Sequence, residues 1–127
     1  MRSKGQQNQA LGAQGEEFAV AHLLRSGYTV LERNFRSRGG EVDIVARDRD
    51  DCIVFIEVKT RRNLAYGLPQ LAVNQRKQRQ IAKGALSWLS HNRLHDRSAR
   101  FDVIAILLHD SVKYELEHIV NAFDLAY

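Results

Sequence analysis

The sequence predicts an α/β fold in which a mixed β-sheet carries helices on its faces. Two runs rich in Val and Ile, residues 42–46 and 53–58, flank a charged, Asp-rich linker and indicate a β-hairpin. The almost continuous apolar run over residues 101–108 is typical of a central strand that is buried on both faces. Because a helix is predicted between the hairpin and this run, its two neighbouring strands are expected to be parallel.

The other elements are predicted from apolar spacing and from the positions of glycine and proline. The predicted segments are a helix that stops at Gly27, a strand over residues 28–35, a basic turn over 36–40, a loop over 60–70, a helix from 71 or 74 to 92 and an edge strand over 112–120. The predicted order is therefore one helix, three strands, a second helix and two strands.

Gly15 is unusual in the first helix, because glycine weakens a helix interior by up to about 1 kcal/mol. It allows another element to approach closely beside Glu16. Alternatively, it marks a late start of the helix, where the helix dipole favours acidic residues in the first turn. The sequence leaves both interpretations open.

Length and composition indicate one domain over residues 10–127, preceded by a polar, flexible tail over residues 1–9. The formal net charge of +4 permits contact with nucleic acid without requiring it. A single cysteine, Cys52, cannot form an internal disulfide, which suits a reducing compartment. No apolar run is long enough to span a membrane, and the N-terminus lacks the apolar core of a signal peptide. A cytoplasmic protein without membrane contact is expected.

Three polar residues stand out on the predicted hairpin: Asp43 in the first strand, and Glu57 and Lys59 in the second. If the turn centres near Asp50, Asp43 lies opposite Glu57, with Cβ atoms about 5 Å apart. Side chains alternate along a strand, so Glu57 and Lys59 share a face. All three side chains are therefore expected to meet.

Two carboxylates this close repel each other by roughly 4 kcal/mol at an effective dielectric constant of 20. One lysine offsets part of that repulsion, whereas a divalent cation offsets all of it. Mg²⁺ is bound through one or two carboxylates together with waters and phosphate oxygens. The spacing favours a metal site for phosphodiester chemistry, but a buried ion-pair cluster remains the alternative. Glu41 shares the face of Asp43 by alternation and is a candidate supporting acid.

Four ordered blocks carry a family resemblance: GAQGEEFA, NFRSRGGEVDIVA, VFIEVKTRR and RFDVIAI. With Lys77 in the second helix, they resemble the PD-(D/E)xK, or restriction-endonuclease-like, nucleases. The resemblance is closer to the YraN family of small bacterial proteins related to Holliday junction resolvases. It covers nearly all of the chain and implies a restriction-endonuclease-like core. The chain departs from the motif name in one respect, since Val42 and not proline precedes Asp43.

The resemblance implies a role for each matched residue. Asp43 and Glu57 would bind Mg²⁺ or Mn²⁺, with the backbone carbonyl of Val58 as a further ligand. Lys59 would orient or help deprotonate the attacking water, or stabilise charge on the phosphate. Glu16 would correspond to the acidic residue that related resolvases place near the metal. The implied activity is metal-dependent hydrolysis of DNA, in branched or recombination intermediates.

Basic residues surround the predicted site and are candidates for binding nucleic acid. They are Arg36, Arg38, Arg61, Arg62 and Lys77. Phosphate contacts of this kind position a nucleic acid without reading its sequence. Ordinary solvated charges on a helix and two loops would give the same pattern. A homodimer is left open by the sequence.

Two other functions compete with that of a nuclease. The first is a binding module for nucleic acid or a protein partner that keeps the fold without turnover. The second is an enzyme that acts on a small phosphate ester. Asp102, at the start of the buried strand, is interpreted as a structural acid that pairs with a base on a helix or with the loop arginines.

Overall fold

The computed structural model describes residues 4–62, 73–110 and 112–124, with side chains from residue 9 onward. Its elements are α1 (Lys4–Arg25), β1 (Thr29–Ser37), β2 (Gly40–Arg47), β3 (Ile53–Arg61), α2 (Gln75–His91), β4 (Ala99–Leu108) and β5 (Tyr114–Phe123). The predicted α/β class and the predicted order of helices and strands are both confirmed.

The five strands form one mixed sheet in sequence order, from β1 at one edge to β5 at the other. All neighbouring strands are antiparallel except β3 and β4, which α2 connects as a parallel pair. The predicted parallel crossover is therefore confirmed. The middle of the sheet is formed by the strands whose sequences are most continuously apolar, because both of their faces are covered.

Each face of the sheet has its own apolar core. On one face, Ala19 and Leu23 of α1 pack in a cluster with Ile44, Ile56 and Ile104. The other face carries α2, whose buried residues pack on a second set of side chains. That set comprises Val42, Val45, Phe55, Ile81, Trp88 and Phe101, with further residues around them. The two helices thus lie on opposite faces of the sheet, as predicted.

Several element ends differ from the prediction for identifiable reasons. Helix α1 begins at Lys4, which is earlier than the apolar spacing of the sequence indicates. Strand β3 continues to Arg61 because its parallel pairing with β4 extends that far. Strand β5 begins only at Tyr114, since the Asp110 carboxylate binds the N–H groups of Val112 and Lys113 in a turn.

The stop of α1 and the start of α2 follow their local sequence. Gly27 adopts a φ of 85°, and the Tyr28 N–H reaches the Leu23 carbonyl at 3.0 Å, which closes the helix end. Asn74 caps α2 by accepting a hydrogen bond from the Lys77 N–H. The part of the predicted loop beyond Arg62 lies outside the described residues. Neither described helix is long and apolar enough to cross a membrane.

Candidate active site

Backbone pairing between β2 and β3 follows the predicted register and ends just before Asp43. Ile44 lies opposite Ile56, which is the last pair on this side of the ladder. This is the register that a turn centred near Asp50 predicts. By continuation it brings Asp43 level with Glu57, where the two strands no longer pair.

The side-chain alternation of β2 breaks at the same point. Val42 and Val45 both pack in the core on the α2 face, whereas Ile44 packs in the core on the α1 face. A regular strand would place Val42 with Ile44, because alternate residues share a face. The backbone of β2 therefore changes direction around Asp43 and leaves a gap beside β3.

The Asp43 side chain bonds across that gap. One of its carboxylate oxygens accepts a hydrogen bond from the Val58 N–H at 2.8 Å. The N–H and C=O of one strand residue point to the same neighbouring strand. The Val58 carbonyl, predicted as a metal ligand, therefore faces the same side of β3 as the Asp43 carboxylate.

Glu57 is 2% exposed and is one of three buried polar or charged residues among those described. Its Oε1 atom lies 3.3 Å from the Lys59 ammonium and 3.4 Å from the Lys77 ammonium. Its Oε2 atom is buried and has no hydrogen-bond partner within residues 9–62, 73–110 and 112–124. A buried carboxylate oxygen without a partner is costly unless a ligand binds it.

Electrostatics set Asp43 apart from an ordinary surface acid. Burial, followed by the neighbouring charge of Glu57, raises the pKa of Asp43 to about 7, although the Val58 N–H favours the ionised form. The two carboxylates repel each other when both are ionised. Such a pair holds either a shared proton or a cation near neutral pH.

Lys77 reaches this pair from α2. Its ammonium lies 2.5 Å from Glu41 as well as 3.4 Å from Glu57. Burial disfavours its charge, but the contacts with Glu41, Glu57 and Asp43 outweigh burial and raise the pKa of Lys77. Lys77 is therefore a fixed cation that joins Glu41 to the Asp43–Glu57 pair.

A close contact between Gly40 and Gly84 lets α2 approach β2 closely enough for Lys77 to reach Glu41 and Glu57. A Cβ atom on Gly40 would overlap the backbone of Gly84, and one on Gly84 would press against the backbone of Glu41. Sequence reasoning missed this contact. Neither glycine belongs to a periodic pattern that predicts an element, and Gly40 and Gly84 are more than forty positions apart in the chain.

Glu16 is held in a different environment from the other predicted acids. It accepts hydrogen bonds from Arg33 Nε at 3.1 Å and from Asn34 Nδ2 at 3.2 Å, both on β1. The neighbouring Gly15 lies against the Thr60 side chain of β3, where a Cβ atom would not fit. The structure thus supports close approach as the reason for this glycine and rules out a late helix start.

The predicted basic residues cluster at one end of the sheet. Because β2 and β3 are antiparallel, the start of β2 and the end of β3 lie at the same end. Arg36 faces Glu41 across β1 and β2, and Arg38 lies in the turn between them. Arg61 closes β3, and Arg62 lines a small cavity beside His109.

The donor set suits a hard divalent cation better than a transition metal. No group of three or more His, Cys, Asp or Glu side chains in the described part of the chain is arranged to hold a metal ion. Two carboxylates and a backbone carbonyl are oxygen ligands of the kind that Mg²⁺ takes together with waters and phosphate. The buried Glu57 Oε2 atom and the raised pKa of Asp43 both fit such an ion.

A family model described as "Uncharacterised protein family UPF0102" matches residues 15–106. The chain belongs to the UPF0102 (YraN) family. It is 68% identical over 123 residues to the UPF0102 protein of Trichlorobacter lovleyi, covering 97% of each chain. It is 61% identical over 121 residues to that of Pelobacter propionicus, covering 94% of this chain and 86% of the relative.

Among solved structures, a chain of the "Structure of EndoMS-dsDNA2 complex" aligns with 69% of this chain at 21% identity. The TM-score is 0.39, and the aligned part spans 34% of that chain. The UPF0102 match spans the blocks that hold Glu16, Asp43, Glu57, Lys59 and Lys77.

Proposed function

We propose that this UPF0102 protein is a metal-dependent endonuclease that hydrolyses phosphodiester bonds in DNA. The observation that carries the proposal is the carboxylate pair of Asp43 and Glu57 at the point where β2 and β3 separate. The pair includes a buried carboxylate oxygen with no partner among the described residues and an aspartate whose pKa is raised to about 7. A purely structural role gives no reason to keep such a pair, because a buried ion pair is weak as a stabilising device.

Each residue of the site has a chemical task in this proposal. Asp43, Glu57 and the Val58 carbonyl would hold Mg²⁺ or Mn²⁺, whose Lewis acidity polarises the phosphate and lowers the pKa of the attacking water. Lys59, whose side chain is partly exposed beside Glu57, orients that water or an oxygen of the scissile phosphate. Lys77 compensates the charge that grows on the phosphate in the transition state.

A polymeric polyanion suits the surroundings better than a small phosphate ester. Arginines at the end of β1, in the turn that follows it and at the end of β3 lie at the same end of the sheet as the carboxylate pair, and the chain carries a net charge of +4. Phosphates bound away from the reacting bond position a nucleic acid over the site. Branched DNA is the first substrate class to test, because the sequence resembles resolvase-related proteins.

A binding module without turnover is the second candidate, and one observation favours it. Lys59 and Lys77 both contact Glu57, so part of its charge is already compensated by the protein itself. In that case the site would bind nucleic acid through its basic residues and would have no use for a metal.

The decisive experiment is a cleavage assay on branched, single-stranded and duplex DNA with Mg²⁺ or Mn²⁺. The variants are Asp43→Asn and Lys59→Ala. The matched control is Asp50→Asn, which changes an exposed acid of the β2–β3 loop. We expect each site variant to lose at least about a hundredfold in rate, as for the loss of a group that stabilises the transition state. Cleavage that survives in both site variants would exclude this site as the active centre.

Calorimetric titration with Mn²⁺ separates the two candidates independently of any DNA substrate. A nuclease site binds the ion in the native chain and loses that binding in Asp43→Asn. A binding module shows no Mn²⁺ binding that depends on Asp43. The native chain and Asp43→Asn then give the same titration, and both still bind labelled DNA.

A further inference from the structure

A groove of about 270 Å³ opens beside the candidate active site. Its walls are Arg36, Ser37, Gly39, Gly40, Glu41 and Gln80. It lies where the turn between β1 and β2 faces helix α2. Gln80 follows Lys77 by three positions, so the groove and the carboxylate pair are about one helical turn apart along α2.

The lining of the groove is suited to an anion. The Arg36 guanidinium and the Gln80 amide supply hydrogen-bond donors. The Ser37 hydroxyl oxygen is buried and has no hydrogen-bond partner in the part of the chain that the structure describes. The Lys83 side chain lies beside the β1–β2 turn, since its Cδ atom is 3.7 Å from the position that a Cβ atom on Gly39 would take.

Glu41, the acid in the lining of the groove, does not prevent an anion from binding there. Glu41 lies 2.5 Å from the Lys77 ammonium. Its charge is therefore compensated within the wall of the groove. A ligand in the groove therefore meets the Glu41–Lys77 ion pair on one side and the hydrogen-bond donors of Arg36 and Gln80 on the others.

Size and position indicate which anion fits. Pockets for small molecules measure about 300–1,000 Å³, so this groove suits one phosphate with part of its sugar. Glu41 lies two residues before Asp43, which is roughly 6.5–7 Å along an extended strand. Neighbouring phosphates of one nucleic-acid strand can span that distance.

We infer that this groove binds the phosphate next to the scissile phosphate on the same strand. The substrate is then a chain with at least two consecutive phosphodiesters, and an isolated phosphodiester is held poorly. The inference rests on the proposed function. It assigns Ser37 and Gln80 to substrate binding, and it specifies that Arg36 binds the phosphate next to the scissile phosphate.

The test measures binding, so it does not depend on turnover. Three probes compete with a fluorescent thymidine oligonucleotide in the presence of Ca²⁺. They are the trinucleotide dTpdTpdT and its two isomers in which one or the other phosphate is a neutral methylphosphonate. In the native chain we expect each isomer to bind about tenfold more weakly than dTpdTpdT, because one isomer loses the contact in the groove and the other loses the contact at the Ca²⁺ site. The isomer whose loss disappears in the groove variants carries its neutral phosphate in the groove and reports the polarity of the strand.

In Gln80→Leu, and in Arg36→Gln as a second variant, the loss of affinity of that isomer is expected to fall to about twofold or less, whereas the loss of the other isomer persists. Arg79→Leu is the matched control, since Arg79 is exposed on the same helix and outside the groove. It weakens all three probes alike and keeps their ratio. Circular dichroism verifies that each variant is folded.

Three outcomes overturn the inference. They are equal binding of all three probes, persistence of both isomers' losses in both groove variants, and failure of dTpdTpdT to compete. Failure of the proposed function looks different. The native chain would then show both isomers' losses and yet cleave no DNA with Mg²⁺ or Mn²⁺.

Discussion

The carboxylate of Asp43 accepts a hydrogen bond from the backbone N–H of Val58 at 2.8 Å. It does so where the backbone ladder between β2 and β3 has ended, so a side chain takes over a bond that a carbonyl would make in a regular sheet. This bond holds Asp43 beside Glu57 and leaves the rest of its carboxylate facing the gap between the strands. Two repelling acids are thereby kept in place by the sheet itself.

The first prediction is that Asp43→Asn stabilises the protein at about pH 8. The folded-state pKa of Asp43 is about 7, against an ordinary value of 3.8 for an aspartate, so its ionisation costs folding energy as the pH rises between those two values. Asparagine removes the charge and keeps an oxygen for the Val58 N–H. We expect the free energy of unfolding, measured in urea, to rise by on the order of 2 kcal/mol, after a discount for partial exposure.

The pH dependence of this gain is its control. The gain should shrink towards about pH 4, where Asp43 is protonated in the folded state and only half ionised in the unfolded state. Asp50→Asn, in an exposed loop position, should change stability little at either pH. Loss of stability in Asp43→Asn at pH 8 would mean that the acid is a structural member of an ion-pair cluster.

The register of the hairpin was predictable because it depends on local features. Two apolar runs flank a short Asp-rich turn, and in a hairpin the position and length of the turn fix the register. That register was sufficient to bring Asp43, Glu57 and Lys59 together. The parallel pairing of β3 with β4 was predictable for a similar reason, because a helix connects two apolar strands.

The rest of the site depends on contacts that are distant in sequence. The bonds of Glu16 with Arg33 and Asn34 require α1 to lie against β1, and no spacing pattern encodes them. The same holds for Lys77 and Glu41, which are 36 positions apart. Only the family resemblance singled out Lys77, and it did not identify Glu41 as its partner.

The second prediction concerns two glycines of α1 that have opposite effects. Gly15→Ala should destabilise the protein by roughly 1–3 kcal/mol, because the added Cβ overlaps the Thr60 side chain. Gly12→Ala is the matched control, since a Cβ there meets nothing within 4 Å. It should stabilise the helix by about 0.5–1 kcal/mol. Thermal unfolding of the two variants tests this, and equal effects would contradict the packing of α1 on β3.

The third prediction concerns a chain of hydrogen bonds that runs from helix α1 into the sheet. His118 contacts the fully buried Asp102 through Nε2 at 2.7 Å and His22 through Nδ1 at 3.0 Å. Asp102 also accepts from Arg100 and from the Asn121 N–H. Because a carboxylate only accepts, His118 donates to Asp102 through Nε2. Asp102 is thus a structural acid, but its partners Arg100 and His118 lie on β4 and β5, and not on a helix or in a loop as predicted.

Acid should weaken this chain of bonds. Burial, then the charges of His118 and Arg25, lower the pKa of His22 below 6.5. The unfolded chain therefore binds more protons below about pH 6.5, and stability falls as the pH drops through that range. We expect His22→Gln to reduce the loss between about pH 7 and pH 5 by up to roughly 1 kcal/mol. His95→Gln, at an exposed loop histidine, should leave the pH profile unchanged.

The last prediction separates the two lysines of the site. Contact with Lys77 is the main cause that lowers the pKa of Glu41, whereas Lys59 contributes less. A lowered acid pKa contributes stability above its unfolded value of about 4.5 and loses it as the pH falls through the folded-state pKa. Lys77→Met should therefore raise the pKa of Glu41, as measured by a carboxyl-carbon NMR titration, and Lys59→Met should move it less.

Because the contact with Lys77 lowers the pKa of Glu41 and so contributes stability, Lys77→Met should also be less stable than the native chain. We expect the free energy of unfolding near pH 7 to fall by about 1 kcal/mol, because Glu41 is partly exposed and its pair with Lys77 is screened by solvent. The difference from the native chain should narrow below about pH 4, where Glu41 becomes protonated. A Glu41 pKa that stays low in Lys77→Met would mean that Arg36 holds this acid. The wall of the groove would then carry one donor fewer for a phosphate.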